Sequence, residues 1–456
     1  MNKRETWSNK LTYVLTVAGA TIGFGCTWRF PYLVGENGGG AYVLLFCIAM
    51  IILGIPMMLV QNVIGRRAMK NSVDAFIVDK RDGSKISKFW RFVGYMGLIG
   101  AFGILAYYMV LGGWVMTYIS NIIMHKFILS APITKEYTEA FYYKNIEHNP
   151  LMVGFYTFLF VAVNWYILKK GIINGIEKFV KFLMPFLFLC FITVIIANLN
   201  LDGAKDGISF YLGVDFSKIN AKLFIDVLGQ VFFALSLGFG VMITLSSHLS
   251  KDENLIQTAT FTGVINTIIA VMAGFMIFPA IFTAGLEPAA GPSLVFKTLP
   301  IAFSYIPFGG ILAVVFFIIL MIAALTTSIT IYQVIIGVLE EKLNMNTTKA
   351  TTITLLVIFI FGNIPSVLAY GPWQDILVLG RNIFDAFDFI SANIFFTSTA
   401  FMCCVYVGWI LKEDAIYEIS NANKLKSPLI KIWYNYIKYV LPVIILVVFI
   451  AGLTTI

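Results

Sequence analysis

Runs of apolar residues long enough to cross a lipid bilayer recur along almost the whole of this chain. A helix needs about 20 such residues to span the hydrocarbon layer. The runs fall near residues 11–36, 41–65, 91–124, 151–168, 176–199, 222–248, 255–284, 310–340, 348–369, 383–411 and 432–454. Of the 456 residues, 59% are hydrophobic and 12% charged, too few polar side chains to cover a water-soluble fold of this size. The same figures exclude a disordered, collagen-like or coiled-coil chain. Unbroken apolar runs, rather than alternation, exclude a β-barrel. The expected fold is an all-α integral membrane protein with 11 transmembrane helices in one domain. Several runs exceed what a bilayer requires, so tilts or breaks are expected.

Lysine and arginine set the orientation. The 66–91 connection holds Arg66, Arg67, Lys70, Lys80, Arg81, Lys85, Lys88 and Arg91, and further lysines cluster in 169–181 and 412–438. Such loops stay on the cytoplasmic side, so the N-terminus is expected inside and, after an odd number of spans, the C-terminus outside, in the inner (plasma) membrane. This bias accounts for the net charge of +8 without a nucleic-acid partner. The five cysteines all lie in apolar segments, so no extracellular disulfide framework is expected. The three histidines, His125, His148 and His248, are scattered and show no metal-ligand spacing. The first run lacks a small-residue cleavage site and is expected to be retained. No phosphate-binding glycine loop, nucleophile elbow or zinc-protease helix motif occurs, so no enzyme class has support.

Two runs carry helix-breaking glycines. The first reads Gly19-Ala20-Thr21-Ile22-Gly23-Phe24-Gly25, and the sixth reads Ser236-Leu237-Gly238-Phe239-Gly240. Glycines also let helices pack closely. Unwound backbone, however, is tolerated in a membrane only within protein or beside a cavity. Spans one and six open two successive groups of five, and broken helices at matching places point to a transporter built as an inverted repeat. Arg29 follows the first break, with Asp388 as a candidate partner in span ten; Arg29 could equally snorkel to the interface. Thr326-Thr327 in span eight offer two hard oxygens, although membrane threonines commonly bond to their own helix. Tyr107-Tyr108 read as packing residues or ligands.

The residues Arg4-Glu5-x-Trp7, the broken first span, Trp28-Arg29-Phe30-Pro31-Tyr32 and Glu36-Asn37-Gly38-Gly39-Gly40-Ala41 together resemble the neurotransmitter:sodium symporter family, in its bacterial amino-acid branch. The likeness continues through Gln230 to Gly240, the Thr326-Thr327 pair and Phe384-Asp385-x-Phe387-Asp388. It implies a five-plus-five inverted repeat, with repeat one at about 11–199, repeat two at about 222–411 and an extra helix at about 432–454. It also implies alternating access. It assigns the second sodium site to Gly19, Ile22, Ala323, Thr326 and Thr327. It assigns the substrate to Ala20, Thr21, Gly23, Phe24, Gly25, Ile104, Tyr108, Phe233, Ser236, Phe239, Thr327 and Ile331. Biogenic-amine members carry an Asp where this chain has Gly23, so the resemblance implies an amino-acid carboxylate there. It implies an outer gate of Arg29 and Asp388 under Phe233, and an inner gate of Arg4 and Glu341 near Trp7 and Ser247. His248 replaces a Tyr usual at the inner gate. Gly175 and Pro185 match a spacing that unwinds span five.

The first sodium site departs from the family pattern. Thr21 and Asn266 remain, but Cys26 stands for an Asn and Ala234 for a Thr or Ser. A neutral thiol and a methyl are poor ligands for a hard cation. Phe46, Ala270 and Gln61 replace the Tyr, the Glu or Ser, and the Glu expected around an anion site. The expectation is a sodium-coupled importer of neutral, hydrophobic amino acids, using one sodium and no chloride, in the bilayer as a monomer or homodimer. A non-transporting amino-acid sensor and a proton-coupled carrier are the alternatives.

Overall fold

A computed structural model describes residues 6–127, 132–288 and 294–454. Arg4, expected at the inner gate, lies outside the described residues. The architecture is helical, with no strand among the described residues. The principal helices are α1 (Lys10–Thr21), α2 (Gly25–Glu36), α3 (Gly40–Ala68), α4 (Lys88–Ile123), α5 (Pro150–Leu168) and α6 (Ile172–Leu199). They continue with α7 (Ala221–Ala234), α8 (Val241–Ser246), α9 (Leu255–Thr283), α10 (Gly309–Leu343), α11 (Thr347–Leu368), α12 (Ile383–Leu411) and α13 (Pro428–Leu453). Shorter helices, Lys135–Tyr142, Ala204–Leu212, Thr298–Ser304 and Glu413–Ile419, lie in the connections.

Nine of these helices are long and apolar enough to cross a membrane, or ten if the bent pair α1–α2 is one span. The sequence expectation was eleven. The difference lies in the sixth run, which is divided into a fourteen-residue α7 and a six-residue α8, so neither half reaches spanning length. The first run divides as well, and α1 meets α2 at 54°. The cause is local in both cases. Asn9 caps α1 by accepting from the Thr12 amide, and the helix ends where Ile22 leaves helical geometry just before Gly23 and Gly25.

Burial orders the bundle from centre to rim. In α4, 83% of the most apolar stretch is buried, against 28% in α13. Leu151, Phe182, Phe361 and Val443 are exposed along the outer helices, the arrangement a surrounding lipid phase favours. The broken segments sit at the centre: α1 packs against α6, α9 and α10, and α10 packs in turn on α4. All five cysteines are free thiols.

Candidate functional site

A helix end leaves its last four carbonyls without partners in the helix. At the end of α1 these belong to Ala18, Gly19, Ala20 and Thr21. Ala18 accepts from the Ile22 amide at 2.8 Å. The other three are met by side chains from three other segments. The Thr327 hydroxyl of α10 donates to the Gly19 carbonyl at 3.0 Å, and the Ser236 hydroxyl donates to that of Ala20 at 3.1 Å. The Asn266 amide of α9 donates to the Thr21 carbonyl at 3.2 Å. The broken end of α1 is therefore the hub on which α9, α10 and the 235–240 break converge.

The second break is built from backbone that glycine favours. Gly238 has φ +87° and Gly240 φ +79°, and Ser236 itself has φ +51°. A Cβ on Gly238 would lie 2.2 Å from the Phe396 carbonyl oxygen, so no larger residue fits there. Gln230 donates from its side chain to the Gly25 carbonyl at 2.6 Å. Together with the Ser236 bond to Ala20, this ties the two breaks face to face.

Beside them, Gly23 lets Tyr108 and Thr327 approach the backbone closely. A Cβ at that position would lie 2.4 Å from the Tyr108 hydroxyl and 2.7 Å from that of Thr327. The Tyr108 hydroxyl accepts from the Phe24 amide at 3.2 Å. It thus occupies the place where amides at the start of α2 could meet an anion. Ile104 lies one helical turn from Tyr108 on α4, and Ile331 one turn from Thr327 on α10, so each shares its neighbour's face. Both are buried, as is Phe239. Phe233 is half-buried and packs on Gly25. Phe396, which the sequence reading did not single out, stacks on Phe239 with ring centroids 3.5 Å apart.

The two sodium sites of the sequence reading are arranged differently. At the second, α1 and α10 approach so closely that a Cβ on Gly19 would lie 3.2 Å from Cβ of Thr326. Thr326 donates to the Ile322 and Ala323 carbonyls at 3.0 and 3.2 Å, so oxygens of Gly19, Ala323, Thr326 and Thr327 gather at one crossing. Ile22 is the first residue beyond α1 there. At the first, the Cys26 thiol contacts the Thr21 carbonyl and Asn266 Oδ1, each at 3.6 Å. The Asn266 amide donates a second time to the Ala234 carbonyl, at 3.3 Å. Hydrogens of the protein bridge oxygens at both sites, but at the first the Cys26 thiol and the Ala234 methyl bring no oxygen of their own.

Arg29 and Asp388 line one cavity of about 390 Å³, with Trp28, Phe233 and Asp385. They are not joined by an ion pair. The Arg29 guanidinium lies over the Phe233 ring, 4.6 Å from its centroid, and its Nε has no hydrogen-bond partner among the described residues. On the other side, the Trp7 indole donates to the Leu245 carbonyl at 2.9 Å, and the Trp7 amide donates to that of His248 at 3.3 Å. Glu341 accepts from the Asn71 amide and side chain, both at 2.9 Å. Asn71, in the basic connection, carried no signal of its own in the sequence.

Two broken helices joined through their own exposed carbonyls, with a cavity on each side, define a multi-pass membrane transporter. The chain belongs to the sodium:neurotransmitter symporter family, whose model matches residues 4–146 and 145–456. It is 60% identical over 454 residues to a sodium-dependent transporter of Haemophilus influenzae, covering 99% of this chain and 98% of the relative. It is 32% identical over 448 residues to the sodium-dependent transporter YhdH of Bacillus subtilis, covering 98% and 97%. The crystal structure of MhsT in complex with L-phenylalanine superposes with a TM-score of 0.87 at 34% identity, covering 99% of this chain and all of that one. The protein is therefore a sodium-dependent transporter and not an enzyme.

Proposed function

We propose that this protein imports neutral, hydrophobic amino acids by alternating access, coupled to a single sodium ion at the crossing of α1 and α10. The observation that carries the single-ion reading is the donor set around Asn266, to which Cys26 and Ala234 contribute sulfur and a methyl in place of oxygens. The Asn266 amide donates to the carbonyls of Thr21 and Ala234, and the Cys26 thiol fills the remaining side. A hard cation would have to displace these donors and gain only sulfur and a methyl in return. The anion site is depleted in parallel. Phe46 packs on Phe30 at 4.6 Å, Ala270 offers no hydroxyl, and Gln61 stands in place of a carboxylate. Without the first cation, an added chloride would be a buried charge lacking its counterion.

The absence of a side chain at Gly23, beside the Tyr108 hydroxyl and the Phe24 amide, supports a substrate carboxylate, and the apolar surroundings support an aliphatic or aromatic side chain. The structural relative crystallised with L-phenylalanine supports the same class. One sodium suffices energetically. One charge moved through 100 mV contributes about 2.3 kcal/mol, and a tenfold gradient adds about 1.4 kcal/mol. Together these sustain roughly several-hundredfold accumulation of a zwitterion. Our reading keeps a cytoplasmic N-terminus, eleven spans, the repeats at about 11–199 and 222–411, and a gate in which Arg29 and Asp388 close over Phe233.

The test is uptake into proteoliposomes with a panel of neutral amino acids and monoamines under sodium or potassium gradients. Sodium-driven accumulation of a hydrophobic amino acid, with no monoamine transported, is expected. Binding without flux would overturn the reading in favour of a sensor, and flux driven by a pH gradient without sodium would make the protein a proton-coupled carrier.

A further inference from the structure

Below the α1–α10 crossing lies a cavity of about 300 Å³, bordered by Asn71, Thr244, His248, Gln333, Glu340 and Glu341 among others. Two of its polar groups stand out. Oε1 of Gln333 and Oγ1 of Thr244 have no hydrogen-bond partner among the described residues, and each residue is only 2% exposed. A buried polar atom without a partner is costly in a protein interior, and these two border one cavity.

Their register on α10 is regular. Seven residues separate Thr326 from Gln333, and seven more separate Gln333 from Glu340. At 100° per residue, this spacing keeps all three on nearly one face, about 10.5 Å apart along the axis. α10 runs from Gly309 to Leu343 as one α-helix, so the strip is continuous. Gly337, between Gln333 and Glu340, also borders the cavity and adds no side chain to it. Lys169 and Lys170 border the cavity too, but their ammonium groups lie 4.0 Å from the ring centroids of Trp165 and Tyr166, which do not line it. Glu340 accepts from the Thr347 hydroxyl at 2.5 Å, and Glu341 accepts from Asn71. The cavity thus presents unpartnered oxygens inside and carboxylates beside them, the donor set of a hard cation.

We propose that this cavity is a cation waypoint, in which sodium leaving the α1–α10 crossing is held by Gln333 Oε1 and Thr244 Oγ1 before it passes Glu340 to the cytoplasm. The proposal rests on the sodium site read at Thr326 and Thr327. It assigns Gln333 a role in ion release rather than in ion binding from outside.

The test uses the full chain in oriented proteoliposomes, with internal sodium varied at fixed external sodium. Removing the oxygen with Gln333→Leu is expected to raise the internal sodium concentration that half-inhibits net uptake by about fivefold or more. Placing a charge there with Gln333→Glu is expected to lower it. External half-saturation by sodium should move far less than the internal value in both variants. Unchanged internal half-inhibition in the Gln333→Glu protein, or equal shifts on the two sides, would overturn the proposal. Thr326→Ala, run in parallel, separates the two readings. Loss of sodium dependence from both sides upholds the site above the cavity, whereas full retention removes that site and the waypoint with it.

Discussion

In the proposed reading, the side chain missing at Gly23 sets the substrate class. The glycine hydrogen faces the hydroxyls of Tyr108 and Thr327 at distances no Cβ would tolerate. Gly23→Ala should therefore crowd the position where a carboxylate would meet the start of α2. Overpacking of this kind costs about 1–3 kcal/mol, and the substrate concentration for half-maximal uptake should rise roughly ten- to hundredfold. Uptake kinetics at saturating sodium would check this, and an unchanged half-saturation would remove Gly23 from the site. Much at this scale is legible in sequence, because Gly, Cys and Ala announce what they lack. Cys26 and Ala234 are conspicuous once Asn266 and Thr21 are recognised as an incomplete oxygen set. Other residues are not legible. Phe396 sits in the run Ile394-Phe395-Phe396 with nothing to mark it, and its role against Phe239 and Gly238 exists only through packing between distant segments. The Arg29–Asp388 pairing was legible as a shared location but not as a state, because a cation over the Phe233 face competes with the carboxylate.

The elements are held in register at the Arg66 end of α3 by charges far apart in sequence. Arg66, at the end of α3 and 1% exposed, donates to the Glu418 carboxylate at 2.6 Å, to the Glu418 and Glu253 carbonyls, and to Asn421 at 3.0 Å. Lys251 donates to the same carboxylate and to the Arg66 carbonyl. Beside them, Arg67 pairs with Asp414 at 3.0 Å. Arg66→Met should leave the Glu418 carboxylate without its main partner. Breaking a buried pair costs about 3–5 kcal/mol, so a marked fall in the thermal unfolding midpoint of the purified protein is expected. Lys424→Ala, which removes an exposed pair with Asp252, should leave the midpoint in place. Equal effects of the two changes would contradict this ranking. Sequence grouped these lysines and arginines as one basic face but could not pair them, since Arg66 and Glu418 are 352 residues apart. The breaks were legible for the opposite reason: Gly23, Gly25, Gly238 and Gly240 state a local backbone requirement. Their consequence for α7 and α8, two pieces each too short to span, depends on how far the unwound stretch extends.

At the scale of the whole molecule, the two breaks join α1 to the 235–240 segment, and α10 carries oxygens from the α1 crossing towards the cavity beside Glu340. Movement of α1 against α10 would therefore alter the proposed sodium site and the close contacts at Gly23 together, which is the physical content of coupling between ion and substrate. The account stands on that coupling using one ion. The measurement that tests it most directly is the charge moved per amino acid in voltage-clamped proteoliposomes, for the native chain and for Cys26→Asn combined with Ala234→Thr. One charge per zwitterion is predicted for the native protein, rising towards two when the first oxygen set is restored. Two charges per substrate in the native protein would contradict the account.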